Sequence, residues 1–252
     1  MDKPTVLFLF NSSRYAVQPW IDDGGFNVVS VDYSDTDHSE AHREPIEGHT
    51  VLNIDLSRHD ARERVTCALA GRGMRQPSLV LSFAPCTDMA VSGARWFKSK
   101  LEADPDCQAR AVRMAKLASE FNCAYAVENP VSVLATQWRA PDFTWHPHEY
   151  SGYVSLLEGA HPEFPNIIPA YDNYKKKTCL WTGGGFNMPR RLDRFIPMDP
   201  NNPGWAKLGG KSARTKYIRS LTPRGFARAV YEANVDNIAY GSIYGAGYGE
   251  NS

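Results

Sequence analysis

Short apolar runs separated by polar turns organise the first half of this chain. Thr5–Phe10 is β-branched and aromatic and predicts a strand, broken by Asn11-Ser12-Ser13, whose short polar side chains can cap a helix running toward Trp20. Gly24-Gly25 ends that helix, and Asn27–Val31 predicts a second strand closed by Asp32. A third strand over Thr50–Ile54 ends in Asp55, and Asp60–Ala70 has helical character. Leu79–Phe83 follows the breaker Pro77, is too short for a helix and reads as a strand buried on both faces. Pro85 stops it, and Cys86 comes next. Trp96–Glu102 and Gln108–Phe121 read as helices, the latter with Ala111, Met114, Ala115 and Ala118 on one stripe. A fifth strand over Ala124–Val127 ends in Glu128-Asn129-Pro130. Strands alternating with helices at this spacing predict an α/β fold with a parallel sheet wound by right-handed crossovers.

The pattern then changes. Asp35–Gly48 is charged, has no period and reads as an exposed loop, and Ala140–Tyr174 is rich in Pro, Tyr, Trp and His with little helical period. Lys175-Lys176-Lys177 leads into a strand over Thr178–Thr182, and Met188–Gly210 is rich in Pro, Asn and Gly. Lys211–Arg219 is strongly basic, and Thr222-Pro223-Arg224-Gly225 opens a helix to Asn234. The expected organisation is a catalytic α/β domain over 1–135 and 175–235, an irregular insertion over 136–174 and a flexible Gly/Tyr/Ser-rich tail over 240–252.

Composition narrows this picture. The 252 residues carry 28 Lys plus Arg and 28 Asp plus Glu, so net charge exerts no global pull toward nucleic acid or membrane, and any basic surface is local. The five cysteines are odd in number and scattered, which argues for free thiols in a reducing cytoplasm rather than a disulfide framework or zinc ribbon. No apolar stretch approaches the ~20 residues that span a bilayer.

Cys86, just beyond the carboxyl end of a buried strand, sits where open α/β sheets place their ligands, and its polar flank of Thr87, Asp88, Ser92 and Gly93 suits a nucleophile better than a core filler. Glu128, ending the next strand, would put a carboxylate at the same edge. A thiol and an acid so placed suit addition to carbon 6 of a pyrimidine while the acid holds N3, with Lys175–Lys177 available to the ring. Asp32 stands where nucleotide-binding folds hold a ribose hydroxyl, but no GxGxxG follows the first strand, which argues against a pyrophosphate dinucleotide. A phosphatase CxxxxxR loop is excluded, because the first arginine after Cys86 is Arg95. The spacing of His146, His148, His161 and Cys179 matches no standard zinc pattern.

The order Phe10-Asn11-Ser12-Ser13, Asp32, Asp55, Pro85-Cys86, Glu128-Asn129-Pro130, Lys175-Lys176-Lys177 resembles the motif series of the DNA (cytosine-5)-methyltransferase family, especially its short phage-type members. The resemblance covers residues 5–182. It implies a Rossmann-like S-adenosylmethionine-dependent methyltransferase fold with a mostly parallel sheet and a small irregular lobe, and methyl transfer to carbon 5 of cytosine in DNA through a covalent cysteine adduct. Cys86 would be the nucleophile, Glu128 the N3 partner, and Lys177 falls where the family usually has an arginine. Phe10, Asn11, Ser12 and Pro85 would line S-adenosylmethionine, with Asp32 on its ribose and Asp55 on its adenine edge. Because Gly183–Gly210 leaves no room for a full target-recognition domain, contact with DNA would fall to Lys175, Lys211, Arg214, Lys216 and Arg219. The alternatives on the same scaffold are modification of a free pyrimidine nucleotide at carbon 5, or a catalytically silent nucleic-acid-binding protein.

Overall fold

A computed structural model describes residues 3–11, 13–33, 46–194, 196, 208 and 212–244. The expected strand and helix alternation is present. In chain order the elements are β1 (Thr5–Leu9), α1 (Arg14–Asp23), β2 (Asn27–Asp32), β3 (His49–Asn53), α2 (Ala61–Ala70), β4 (Pro77–Ser82), α3 (Phe97–Ala103) and α4 (Cys107–Lys116). They continue with β5 (Ala124–Pro130), α5 (Leu134–Gln137), β6 (Phe143–Trp145), β7 (Thr178–Gly183), α6 (Ala213–Ser220) and α7 (Arg224–Tyr244). The strands form one seven-stranded sheet in the order β3-β2-β1-β4-β5-β7-β6. β1 to β5 run parallel, whereas β7 pairs antiparallel with β5 and with β6. The fold class is therefore α/β, Rossmann-like and mostly parallel, and its reversed β7 sets it apart from the dinucleotide order 3-2-1-4-5-6.

Alternation along the strands builds two cores. Leu7, Leu9, Val29, Val80, Val127 and Trp181 face Val65 and Leu69 of α2 and Ala111 and Ala115 of α4. Their neighbours Val6, Phe8, Val28, Leu79, Leu81, Ala126 and Leu180 face Val17 and Trp20 of α1 and Phe226 and Val230 of α7. Every residue of β1 is buried, as a central strand covered on both faces requires. Ser13 caps α1, its hydroxyl accepting from the Tyr15 N–H, and Gly24 ends that helix in the left-handed region at φ 73°.

Several expected boundaries move. β5 continues through Glu128 and Asn129 to Pro130 instead of ending at Val127, because β7 runs alongside and pairs with all three. The helix expected to stop at Asn234 extends to Tyr244, which corrects the start of the tail at 240; residues 245–252 lie outside the described residues, as do 34–45 of the expected loop. α4 ends at Lys116 and a 3-10 turn over Leu117–Glu120 carries the chain on.

Residues 147–172 are irregular and include short 3-10 turns at Pro147–Tyr153, Leu156–Glu158 and Ala170–Asp172. They pack through a third cluster containing Tyr15, Ile168, Tyr174, Ile218 and Leu221. Polar anchors hold it: the buried His161 accepts at Nδ1 from the backbone N–H groups of Glu163 (3.3 Å) and Phe164 (3.1 Å). The hydroxyls of Tyr15 and Tyr217 donate to Glu163 at 2.6 and 3.2 Å. His146 and His148 stack on each other at 5.6 Å, and among the described residues no group of three or more His, Cys, Asp or Glu side chains could hold a metal ion. No helix among the described residues is long and apolar enough to cross a membrane.

Candidate active site at the carboxyl edge of the sheet

β4 and β5 lie side by side, with Ser82 opposite Val127, so the chain leaving β4 passes directly over the end of β5. Asn129 fastens the two. Its Nδ2 donates to the Ala84 carbonyl at 2.9 Å, from a fully buried position. Beyond Cys86 the chain folds back on itself, with the N–H groups of Met89 and Ala90 both donating to the Cys86 carbonyl at 3.1 and 2.8 Å. Val91 N–H then donates to the Val131 carbonyl and Val133 N–H to the Met89 carbonyl, both at 3.0 Å. Lys100 reaches back from α3 to the Thr87 carbonyl and to the Asp88 carboxylate at 2.9 Å. A loop this well tied places its thiol reproducibly, which pre-organised chemistry requires.

Cys86 is half-buried. Burial raises its thiol pKa first and the nearby Glu128 carboxylate raises it further, while Lys176 and Arg219 lower it. Burial likewise raises the Glu128 carboxyl, opposed by Lys176. The thiol and carboxyl therefore share one electrostatic environment, with the carboxyl biased toward its protonated, hydrogen-bond-donating form. On the α7 face of the sheet, Glu128 and Thr222 border an open pocket whose walls include Leu81, Phe83, Leu180, Phe186 and Phe226. An apolar pocket with a few polar groups at its rim is the usual form of a small-molecule site.

The structure separates the expected site residues. Among the lysines it is Lys176, not Lys177, whose charge falls on Cys86 and Glu128; Lys177 is exposed and acts on Cys179 and His146. Strand direction explains the difference, because alternate residues entering β7 face opposite sides. Phe10, at φ 55°, is buried in the core beneath α2 and α4, and Asn11 is buried with Nδ2 donating to Ser30 Oγ at 3.1 Å and Oδ1 accepting from Ser13 N–H. Both side chains serve the fold rather than an open cleft. Asp32 is half-exposed at the end of β2, and its Oδ1 accepts from the Tyr33 N–H. Asp55 accepts at the same oxygen from the N–H and hydroxyl of Ser57, and that hydroxyl is the main reason its pKa is lowered. Pro85 is exposed beside Cys86, and Lys175, Arg214, Lys216 and Arg219 are exposed at the start of β7 and along α6. Ser12 and Lys211 lie outside the described residues. Asn129 and Lys176 acquire positions of their own: the Glu-Asn-Pro turn and the lysine run carried the signal, but only the register of β5 against β7 assigns each member a side.

No family model matches the chain, and no curated protein is similar to it. Its sheet is similar to parts of solved Rossmann-like structures. One is a carbonyl reductase, Sniffer, of Caenorhabditis elegans, at 12% identity over 48% of this chain and 54% of that one, with a TM-score of 0.35. Another is a short-chain dehydrogenase of Leptospira borgpetersenii with bound NAD+, at 12% identity over 49% and 50%, with a TM-score of 0.25. A third is an epimerase of Methanothermobacter thermautotrophicus, at 18% identity over 46% and 33%, with a TM-score of 0.29. The chain thus spans about half or less of each of these proteins.

These findings correct the functional expectations. None of these comparisons supports S-adenosylmethionine as cofactor, methyl transfer to cytosine or DNA modification, and those expectations are set aside together with the pyrimidine-nucleotide and silent DNA-binding alternatives. The physical reason is that Pro85-Cys86 and Glu128-Asn129-Pro130 mark strand ends, and a sheet edge hosts many chemistries. For the same reason, a likeness confined to the fold does not transfer the neighbours' activities to this chain.

Proposed function

We propose that this sheet edge is the active site of an enzyme in which the Cys86 thiolate adds to an electron-poor unsaturated carbon of a small substrate. Sulfur forms a bond to that carbon, the displaced π electrons move to a conjugated oxygen or nitrogen, and the Glu128 carboxylic acid supplies the proton that neutralises it. Reversal of the same transfers releases the adduct. The flat apolar part of the substrate occupies the pocket walled by Phe83, Phe186 and Phe226. Asp32, at the end of β2, is the group that would meet the ribose hydroxyl of a nucleoside-containing ligand. The observation supporting this reading is the pairing of Cys86 with Glu128 across two strands clamped by Asn129. A nucleophilic thiol needs a reducing compartment, so we place the protein in the cytoplasm; all five cysteines are free.

Two reagents separate the roles. Iodoacetamide alkylates a thiolate without needing an acid, whereas addition to cyclohexenone needs a proton on the developing enolate. Glu128→Gln keeps the side chain's size and removes its acid proton, which alkylation does not use, so alkylation of Cys86 at pH 8 is expected to hold. Addition to cyclohexenone is expected to slow by about 10²-fold through loss of general-acid assistance. Peptide mass spectrometry at Cys86 reads both rates, and equal changes in the two would refute the acid role.

The thiol's own titration gives a further expectation. Because burial and Glu128 raise the Cys86 pKa, its alkylation rate should climb with pH above the ordinary thiol range, near 8.5, and not level off below it. Lys176→Gln removes a charge that favours the thiolate and should move that climb to still higher pH. A plateau by pH 7, or a shift in the opposite direction, would contradict the assigned electrostatics.

A further inference from the structure

The pocket between α1, α7 and the carboxyl ends of β4 and β5 is walled almost entirely by carbon, and two side chains in it keep unused hydrogen-bonding capacity. Glu128 pairs with Leu180 of β7 and lies on the same sheet face as Ala126, so its half-buried carboxyl is turned toward α7. Thr222 is 8% exposed, and its N–H donates to Ser13 Oγ at 3.3 Å, which fixes its backbone and leaves its hydroxyl over. Among the described residues no hydrogen bond or ion pair reaches the Glu128 carboxyl or the Thr222 hydroxyl. Of the described residues that line the pocket none is Lys, Arg or His, and Glu128 is the one ionisable side chain. Phe83, Phe186 and Phe226 supply flat walls, and Phe226 is held in place by the stack on Trp145 at 3.7 Å. Burial drives the Glu128 carboxyl toward its neutral form, in which it carries an O–H donor. Polar groups enclosed in this way without partners cost free energy that a matching ligand recovers.

From these walls and these two unpartnered groups we infer that the pocket takes an uncharged aromatic carbonyl compound, its ring between the phenylalanines, its oxygen accepting from Glu128 and a second polar substituent meeting Thr222. The inference rests on the addition proposed for this edge and narrows its substrate to an aryl-conjugated enone or enal. A phosphate or carboxylate entering the pocket would lose its hydration with no cation lining the walls to replace it. An ammonium group would lose its hydration against a carboxyl held in its neutral form. A carbonyl oxygen asks only for a donor, and an aromatic ring suits walls of carbon.

Binding of simple unreactive probes at pH 7, followed by saturation-transfer NMR on the full chain, tests this. Acetophenone and α-methylstyrene have the same shape, and only acetophenone carries an acceptor oxygen. Acetophenone is expected to bind about ten-fold more tightly, the worth of one hydrogen bond to an enclosed donor. Benzoate and phenyltrimethylammonium, which add a negative and a positive charge to the same ring, should compete about ten-fold more weakly than acetophenone or not at all. Glu128→Gln keeps an N–H donor at the same place and should retain the preference for acetophenone, whereas Glu128→Leu should abolish it while α-methylstyrene still binds. Phe186→Ala removes a wall and should weaken both probes alike, which locates them in this pocket; circular dichroism confirms that each variant is folded. Equal affinities of the two probes, tighter binding of benzoate or phenyltrimethylammonium, a preference that survives Glu128→Leu, or indifference to Phe186→Ala would overturn the ligand class. Failure of the underlying reading looks different: the probes would bind as expected while Glu128→Gln left addition of cyclohexenone to Cys86 untouched.

Discussion

Replacing Arg224 with alanine is expected to lower the free energy of unfolding by about 3–5 kcal/mol, the usual consequence of stripping one partner from a buried ion pair. Arg224 and Asp172 meet at 3.0 Å with side chains only 13% and 3% exposed. The guanidinium also donates to the carbonyls of Glu158, Gly159 and Ala160, so one side chain closes the irregular lobe onto the first turn of α7. Asp172 in turn accepts from the backbone N–H of Arg224 at 2.6 Å, and it does so from a left-handed conformation, φ 52°, directly after Tyr171 at φ 59°. Two successive non-glycine residues in that region persist only where surrounding contacts over-determine them. Asp172→Asn, which tolerates the same backbone and keeps an acceptor, should cost less than Arg224→Ala. Urea midpoints with unchanged slopes would measure both, and a loss below about 1 kcal/mol for Arg224→Ala would mean that water replaces the guanidinium.

Gly225→Ala sets two effects in opposition. Inside a helix, alanine is favoured over glycine by about 1 kcal/mol. A Cβ built at Gly225, however, falls 2.1 Å from the Tyr150 carbonyl oxygen and 2.9 Å from its carbon, and both are backbone atoms that cannot swing aside. Relief requires α7 to part from the 3-10 turn at Pro147–Tyr153, disturbing the stack of Trp145 on Phe226 at 3.7 Å and the pocket wall beside Glu128. The clash is expected to win, with a net loss of about 3 kcal/mol. Gly93→Ala, whose added Cβ meets nothing within 4 Å, should stay within about 0.5 kcal/mol of the parent in the same titration.

Much of this architecture was legible because the chain marks it locally. The breaks at Asn11–Ser13 and Gly24 fall where β1 and α1 end, and Pro85 follows shortly after β4 ends at Ser82. What depended on pairing could not be read. β6 is three residues long, too short for any period to register, and the reversed direction of β7 leaves no trace in its composition. That direction decides which lysine of Lys175–Lys177 acts on the thiol, and three identical side chains in a row give no sign of which one it is. Asn129 looked like part of a turn, whereas its amide spans 45 residues of sequence to hold Ala84. The chemistry was least legible of all, because residues that end strands at an active edge are common to many reactions on one fold.

The return of α7 to α1 also governs how the protein is made. Thr222 N–H reaches Ser13 Oγ across 209 residues of sequence, Tyr231 donates to Asp23, and Phe226 and Val230 share one apolar cluster with Val17 and Trp20. On the ribosome, β1, β2, β4 and β5 emerge early, but the part of the sheet face that packs against Phe226 and Val230 stays bare until α7 leaves the exit tunnel. The nascent chain therefore carries an uncovered apolar surface until α7 has been made, the kind of surface that engages chaperones and delays productive closure.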